Sequence, residues 1–239
     1  MSFSRFQRKC FCVMGFGLLA LNSLAPSLNA ASMQIPQGLT DALRANSDQG
    51  GPVSAAVGEA NRIFISQYPS RFNPFAFRRN NNCGPACLAM ALRIFGHGGS
   101  GGSPQDAIVS ARSDMTGNVA DRLTGLRDVL RGARANGLNA YVARTMVQID
   151  QGLDNGAVAV VSGSPSMDTS YGGRLPYTHA RSGHFILITK RLGDEYIMCD
   201  PESPQGAYAI DRKELVGFMY YYERANAEHG AAMIDPGAS

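Results

Sequence analysis

The stretch Asn81-Asn82-Cys83-Gly84-Pro85-Ala86-Cys87-Leu88-Ala89-Met90-Ala91-Leu92 constrains this chain more than any other. Pro85 belongs in a first helical turn, where a residue without an N–H loses nothing. From Cys87 onward, Leu88, Met90, Ala91, Leu92, Ile94 and Phe95 place apolar side chains nearly all round the expected helix, so it must be buried on most sides. Gly96 supplies its stop. Cys83 therefore stands at the N-terminus of a buried helix. There the helix dipole and the unpaired backbone N–H groups favour a thiolate. Such a chain has a nucleophile to place and must bring a base to it from elsewhere.

The 239 residues suit one domain of ordinary size plus a leader. Arg5, Arg8 and Lys9 precede an apolar run from Cys10 to Leu21, and Ser27 to Ala31 offers small residues for cleavage. This is the pattern of a secretory signal over residues 1–30, with an apolar run too short to span a bilayer. Cys10 and Cys12 open that run rather than follow it, which argues against lipid attachment. The expectation is an exported protein, bacterial periplasmic or extracellular, with no stable membrane insertion once the signal is removed.

The formal charge of +3 comes from that leader, which holds three basic residues and no acid. Without it, 19 basic and 19 acidic residues remain, so nothing in the charge balance points to nucleic acid or an anionic membrane. Three cysteines follow the leader: Cys83, Cys87 and Cys199. An odd, small number does not make a disulfide framework, and leaves at least one thiol that needs a reason in an oxidising compartment. Cys83 and Cys87 lie one helical turn apart, a poor match to disulfide geometry. As a metal pair they lack two further ligands, so no metal or cofactor is expected. Core packing is the reading for Cys87 and Cys199.

Residues 31–60 read as an N-terminal arm with a helix near Gly38 to Ala45. Residues 61–223 read as the folded domain and 224–239 as a flexible tail. Ile63 to Tyr68 has the look of a short strand, and Pro69 to Asn82 of a loop. Pro104 to Arg112 is expected to be helical. Asn118 is expected to cap a second helix from Val119 to Asn136, stopped by Gly137. Asn139 to Arg144 and Gly156 to Ser162 read as strands, with a long polar loop from Gly163 to Gly183 after them. His184 to Thr189 and Glu195 to Cys199 read as a hairpin about Gly193. A further strand is expected at Gly206 to Ile210, a short helix capped by Asp211 at Arg212 to Gly217, and a last strand at Phe218 to Tyr222. Helices first and a meandering antiparallel sheet second make an α+β pattern.

The hairpin locates a base. With a turn near Gly193, paired residues carry numbers summing to about 385 or 386. Asp200 then lies opposite Phe185 or Ile186, within about one residue of His184, a Cβ separation on the order of 5 Å. A carboxylate there accepts Nδ1–H from the imidazole and fixes its tautomer, leaving the other ring nitrogen to take the Cys83 proton. His179, five residues earlier, is the competing imidazole. His97 reads as a surface residue beside a helix end, and Asp200 before Pro201 reads otherwise as a turn former.

CGPACLAMALRIFG, then GHFILIT, then DP followed by a glycine turn resembles the bacteriocin-processing double-glycine cysteine peptidases and their stand-alone relatives. The resemblance runs from about Ile63 to Tyr222. It implies a papain-like fold with N-terminal helices packed on an antiparallel sheet. It also implies a peptide or protein substrate, Cys83 as nucleophile, His184 as general base and Asp200 as its orienter. Those peptidases carry a glutamine a few residues before the nucleophile, whose amide helps form the oxyanion hole. Here Phe77 stands at that spacing. Gln67 is the candidate, separated from Cys83 by the insertion Tyr68 to Asn82, with Asn80, Asn81 and Asn82 as alternative donors. No transporter segment is present, so coupling to peptide export is not implied. The same triad would serve an amidase, a deamidase or a transglutaminase-like acyltransferase, and the same fold a non-catalytic binding module.

Overall fold

The computed structural model describes residues 51–76, 81–97, 102–164, 183–221 and 230–237. The signal segment, the expected helix near Gly38 and most of the Gly163 to Gly183 loop, with His179, lie outside them. In chain order the elements are α1 (Pro52–Ile63), α2 (Cys83–Ile94), α3 (Pro104–Thr116), α4 (Leu126–Ala135), β1 (Asn139–Ala143), α5 (Met146–Asp154), β2 (Val158–Gly163), β3 (His184–Leu192), β4 (Glu195–Cys199), β5 (Tyr208–Asp211), α6 (Arg212–Tyr221) and β6 (Gly230–Asp235). Among the described residues no helix is long and apolar enough to cross a membrane.

The sheet has the order β1-β6-β2-β3-β4-β5, with all neighbouring strands antiparallel among the described residues. Alternate residues of its strands face two cores. Val160, Leu187, Ile197, Cys199 and Ala232 pack with Leu88, Ile108, Met115 and Val129 from α2, α3 and α4. Val161, Ile186, Tyr196, Met198 and Met233 pack with Ile149 of α5 and with Leu215 and Phe218 of α6. A strand covered on both faces needs apolar residues at every position, which is why β2 reads VAVVSG and is buried throughout. The expected α+β architecture, helices on an antiparallel sheet, is the one observed. The second helical layer adds to it.

α2 begins at Cys83 and is buried from Gly84 to Leu92, as its all-round apolar pattern requires. At its close contact with α4, a Cβ on Gly132 would lie 2.4 Å from Leu88 Cδ2. The β3–β4 hairpin pairs Leu187 with Cys199 and Ile188 with Met198, then shifts register by one between Ile188 and Lys190. Numbers of paired residues near the open end thus sum to 386, inside the expected range.

Several expectations are corrected. Residues 64–68 form no strand. They leave α1 directly, and the Gln67 N–H donates to the Pro201 carbonyl at 2.9 Å. α1 itself, placed in the arm by sequence, buries Ala56 and Ala60 in the core. The second helix starts at Leu126 rather than Val119. Asn118 Oδ1 accepts from the Ala120 N–H at 3.0 Å and turns the chain. The carbonyls of Ala120 and Arg122 go to the Arg112 guanidinium rather than to a helical ladder. Asp128 caps the real start by accepting from the Gly125 N–H at 3.0 Å. α5 was missed, although Thr145 and Gln148 form a capping box at its start. Residues 218–221 continue α6 rather than start a strand. The Asp211 cap is as expected, accepting from the Glu214 N–H at 2.7 Å.

The largest correction is the tail. Residues 230–235 form β6, between β1 and β2, with Ala231 to Ile234 fully buried. Its alanines carry little strand preference, and its burial exists only with both neighbours in place.

Candidate active site

The start of α2 is held by a buried cation. Arg112, 2% exposed, donates to Asn82 Oδ1 at 2.8 Å and to the Asn81, Ala120 and Arg122 carbonyls at 2.5, 3.3 and 3.0 Å. Asp121 Oδ1 also lies 3.7 Å from its Nη2. A guanidinium with five N–H donors can tie several acceptors together at once. Here it joins the segment before Cys83 to the segment that packs on Gly84. A Cβ on Gly84 would lie 2.5 Å from Thr124 Oγ1 and 3.3 Å from the Phe185 ring, so the glycine is a packing requirement. Asn82 makes no side-chain cap, and its Nδ2 is buried with no hydrogen-bond partner among the described residues. Cys83 is half-buried, whereas Cys87 and Cys199 are fully buried, and all three are free thiols. Burial, with Cys83, Asp200 and Cys199 nearby, pushes the Cys87 thiol well up. Burial and Asp200 do the same for Cys199. Both are neutral core residues, as expected from sequence.

His184 opens β3 opposite Gly163 of β2. A Cβ on Gly163 would lie 2.3 Å from the Phe218 ring. Its absence lets that ring stand edge-on to the imidazole, 6.4 Å between centroids. His184 Nε2 lies 2.8 Å from Asp200 Oδ1, an oxygen that also accepts the Glu202 N–H at 2.9 Å. The expectation that Nδ1 would face Asp200 is thereby corrected. Continuing the Leu187–Cys199 register puts Asp200 level with Ile186, two residues along from His184. The ring nitrogen farther from the backbone reaches an acceptor displaced in that way. With Nε2 on Asp200, Nδ1 is the ring nitrogen left over, and Cys83 lies close enough to raise the imidazole further. Burial alone would pull the imidazole down. The charge and hydrogen bond of Asp200, with the Cys83 contact, outweigh it and hold His184 well above its ordinary value.

Gln67 reaches the same region despite the insertion. It is 1% exposed, and its Nε2 donates to Glu202 Oε1 at 2.9 Å. The Tyr68 hydroxyl donates to the same oxygen at 3.1 Å. Burial and the charge of Glu202 raise the phenol above its ordinary value, with Cys83 adding a smaller push. The Ser66 hydroxyl donates to the Pro201 carbonyl at 3.2 Å, and Asn73 Nδ2 ties the inserted loop back to the Ser66 carbonyl at 2.9 Å. Cys83, His184 and Asp200 are thus linked, with Gln67 bound to the turn that carries Asp200. Tyr68, Glu202 and Arg112 were not singled out by sequence. Glu202 had a signal, two residues after Asp200 in a DPE turn. A buried arginine in an amphipathic helix has none.

The family model described as Peptidase_C39 like family matches residues 63–228. No curated protein matches the chain. Among solved structures, the chain is similar to the peptidase domain of Streptococcus ComA, a bifunctional ABC transporter involved in a quorum-sensing pathway. The TM-score is 0.43 at 13% identity, covering 73% of this chain and 98% of that one. It is also similar to a structure described as a C39-like peptidase from Bacillus anthracis, with TM-score 0.48, 10% identity, and 74% and 95% covered. A third is a double-glycine-motif protease from an AMS/PCAT transporter in complex with its leader peptide, with TM-score 0.38, 19% identity, and 65% and 85% covered.

Proposed function

Because this chain belongs to the Peptidase_C39-like family, with a cysteine-peptidase type of function, we propose that it cleaves peptide bonds through Cys83, His184 and Asp200. The observation that carries this reading is the 2.8 Å bond between His184 Nε2 and the buried Asp200 Oδ1, with Cys83 at the start of α2 near enough to act on the same imidazole.

His184 Nδ1 takes the proton from Cys83 Sγ, and the sulfur attacks the substrate carbonyl carbon. Asp200 stabilises the resulting imidazolium and keeps its ring oriented. The oxygen of the tetrahedral intermediate accepts hydrogen bonds from the Cys83 backbone N–H and from the second Nε2–H of Gln67. His184 then gives its proton to the departing amine, leaving a thioester on Cys83. Water, deprotonated by the same imidazole, attacks the thioester, releases the acid and restores the thiol. The signal pattern in residues 1–30 supports export, so N-terminal sequencing of protein recovered from the producing cells should begin at about Ala31 or Ser32.

The test is to incubate wild type and Cys83→Ala with a peptide library and read products by mass spectrometry. Cleavage by wild type alone is expected. Ammonia release without chain cleavage would move the assignment to a deamidase. No Cys83-dependent product of either kind would leave a binding module.

A further inference from the structure

The turn Asp200-Pro201-Glu202 touches both halves of this machinery. On the base side, Asp200 Oδ1 takes His184 Nε2 and the Glu202 N–H. On the other side, the Pro201 carbonyl takes the Gln67 N–H and the Ser66 hydroxyl. The Glu202 carboxylate takes the Gln67 amide and the Tyr68 hydroxyl on one oxygen. A glutamine amide can be turned over about its last torsion with little change of shape, so hydrogen-bond partners alone decide which edge faces where. Gln67 Oε1 is buried and has no partner among the described residues. The acceptor supplied by Glu202, with the Tyr68 hydroxyl beside it, therefore decides the orientation of this amide.

We propose that Glu202 is a positioning residue whose carboxylate holds the nitrogen edge of Gln67 so that its second N–H, and not Oε1, meets the oxygen that develops on the substrate. This rests on the reading of Cys83 as nucleophile and Gln67 as oxyanion donor. Turned over, the amide would present a carbonyl oxygen to a developing negative charge and repel it. Correctly turned, it is a donor of the kind worth on the order of 10²–10³ in kcat. Orientation needs an acceptor at position 202, not a charge. A glutamine there has a carbonyl oxygen that takes the same two donors, whereas an alanine has nothing. Tyr68, donating to that same oxygen, keeps the acceptor from swinging away.

The test compares Glu202→Ala and Glu202→Gln with wild type on a peptide that wild type cleaves. In parallel, Cys83 is alkylated with iodoacetamide, a reaction that needs the Cys83–His184 pair but develops no oxyanion. Glu202→Ala should lose about tenfold in kcat, with KM and the alkylation rate within about twofold of wild type. Glu202→Gln should keep kcat within about threefold. Unchanged kcat in Glu202→Ala overturns the proposal. So does an alkylation rate that falls in step with kcat, which would assign Glu202 to the base side. So does a Glu202→Gln as slow as Glu202→Ala, which would mean that charge matters and orientation does not. A wild type that cleaves no peptide overturns the functional reading instead. The positioning role is then judged with acetyl-dialanine aldehyde, whose hemithioacetal oxygen on Cys83 needs the same donor. Glu202→Ala should bind it about tenfold more weakly and Glu202→Gln as wild type does, and equal binding by all three overturns the role.

Discussion

At the scale of single residues, His184 is the group whose surroundings matter most. Its proton is held by Asp200 against the pull of burial, so the imidazolium persists above the ordinary histidine range. Asp200→Asn removes the charge and leaves only a neutral amide oxygen as acceptor. The variant imidazole should titrate at lower pH than in wild type, read by histidine NMR, and cleavage at pH 7 should fall by on the order of a hundredfold or more. Stability follows the same sign. A folded-state value raised above the unfolded one contributes stability below the unfolded value, about 6.5, and loses it as pH rises through the folded value. The stability gap between wild type and Asp200→Asn in urea should therefore be wider near pH 6 than at alkaline pH. Gly163 is the steric counterpart. Gly163→Ala drives a methyl group into Phe218, the ring beside His184, and should cost about 1–3 kcal/mol in urea unfolding. It should also slow cleavage, because the displaced Phe218 ring is the one that stands edge-on to the His184 imidazole. These residues were legible in unequal degree. Cys83, His184 and Asp200 carry their own chemistry in recognisable contexts. Gln67 was reachable only as a candidate, because an insertion hides its spacing. Arg112 looks like any helical arginine until its acceptors are seen.

At the scale of elements, legibility followed the source of the signal. α2, β2 and the β3–β4 hairpin are marked by local pattern: all-round apolar residues, an unbroken apolar run, and alternation about a glycine turn. The hairpin register was readable to within a residue, even though a bulge intervenes between Ile188 and Lys190. β6 was not readable, because alanines gain from a strand only when two neighbours bury them. Its place between β1 and β2 makes it structural. Removing residues 230–239 should abolish the cooperative unfolding transition, because it strips β1 of its ladder partner and leaves β2 paired only with β3. The α5 start offers a milder control. Thr145→Ala removes the side chain that accepts from the Gln148 N–H at 3.3 Å. It should cost about 1 kcal/mol of stability and leave cleavage unchanged.

At the scale of the whole molecule, the sheet ends bring together groups distant in sequence. Helical layers on both faces leave the open end of β3 and β4 as the place where His184 and Asp200 emerge beside the start of α2. Arg112 fixes that start from beneath. Arg112→Ala would leave the Asn82 side chain and several backbone carbonyls without their shared donor. It should cost on the order of 3 kcal/mol in urea unfolding. The central claim is that Cys83 is a nucleophile driven by His184, and the most direct measurement of it is the site-resolved rate of Cys83 alkylation by iodoacetamide at pH 7 in wild type and His184→Ala. Peptide mapping by mass spectrometry separates Cys83 from the buried Cys87 and Cys199. Cys83 is expected to react fastest in wild type and to lose at least about tenfold of its rate in His184→Ala. Equal rates in the two proteins, with His184→Ala still folded, would contradict the claim.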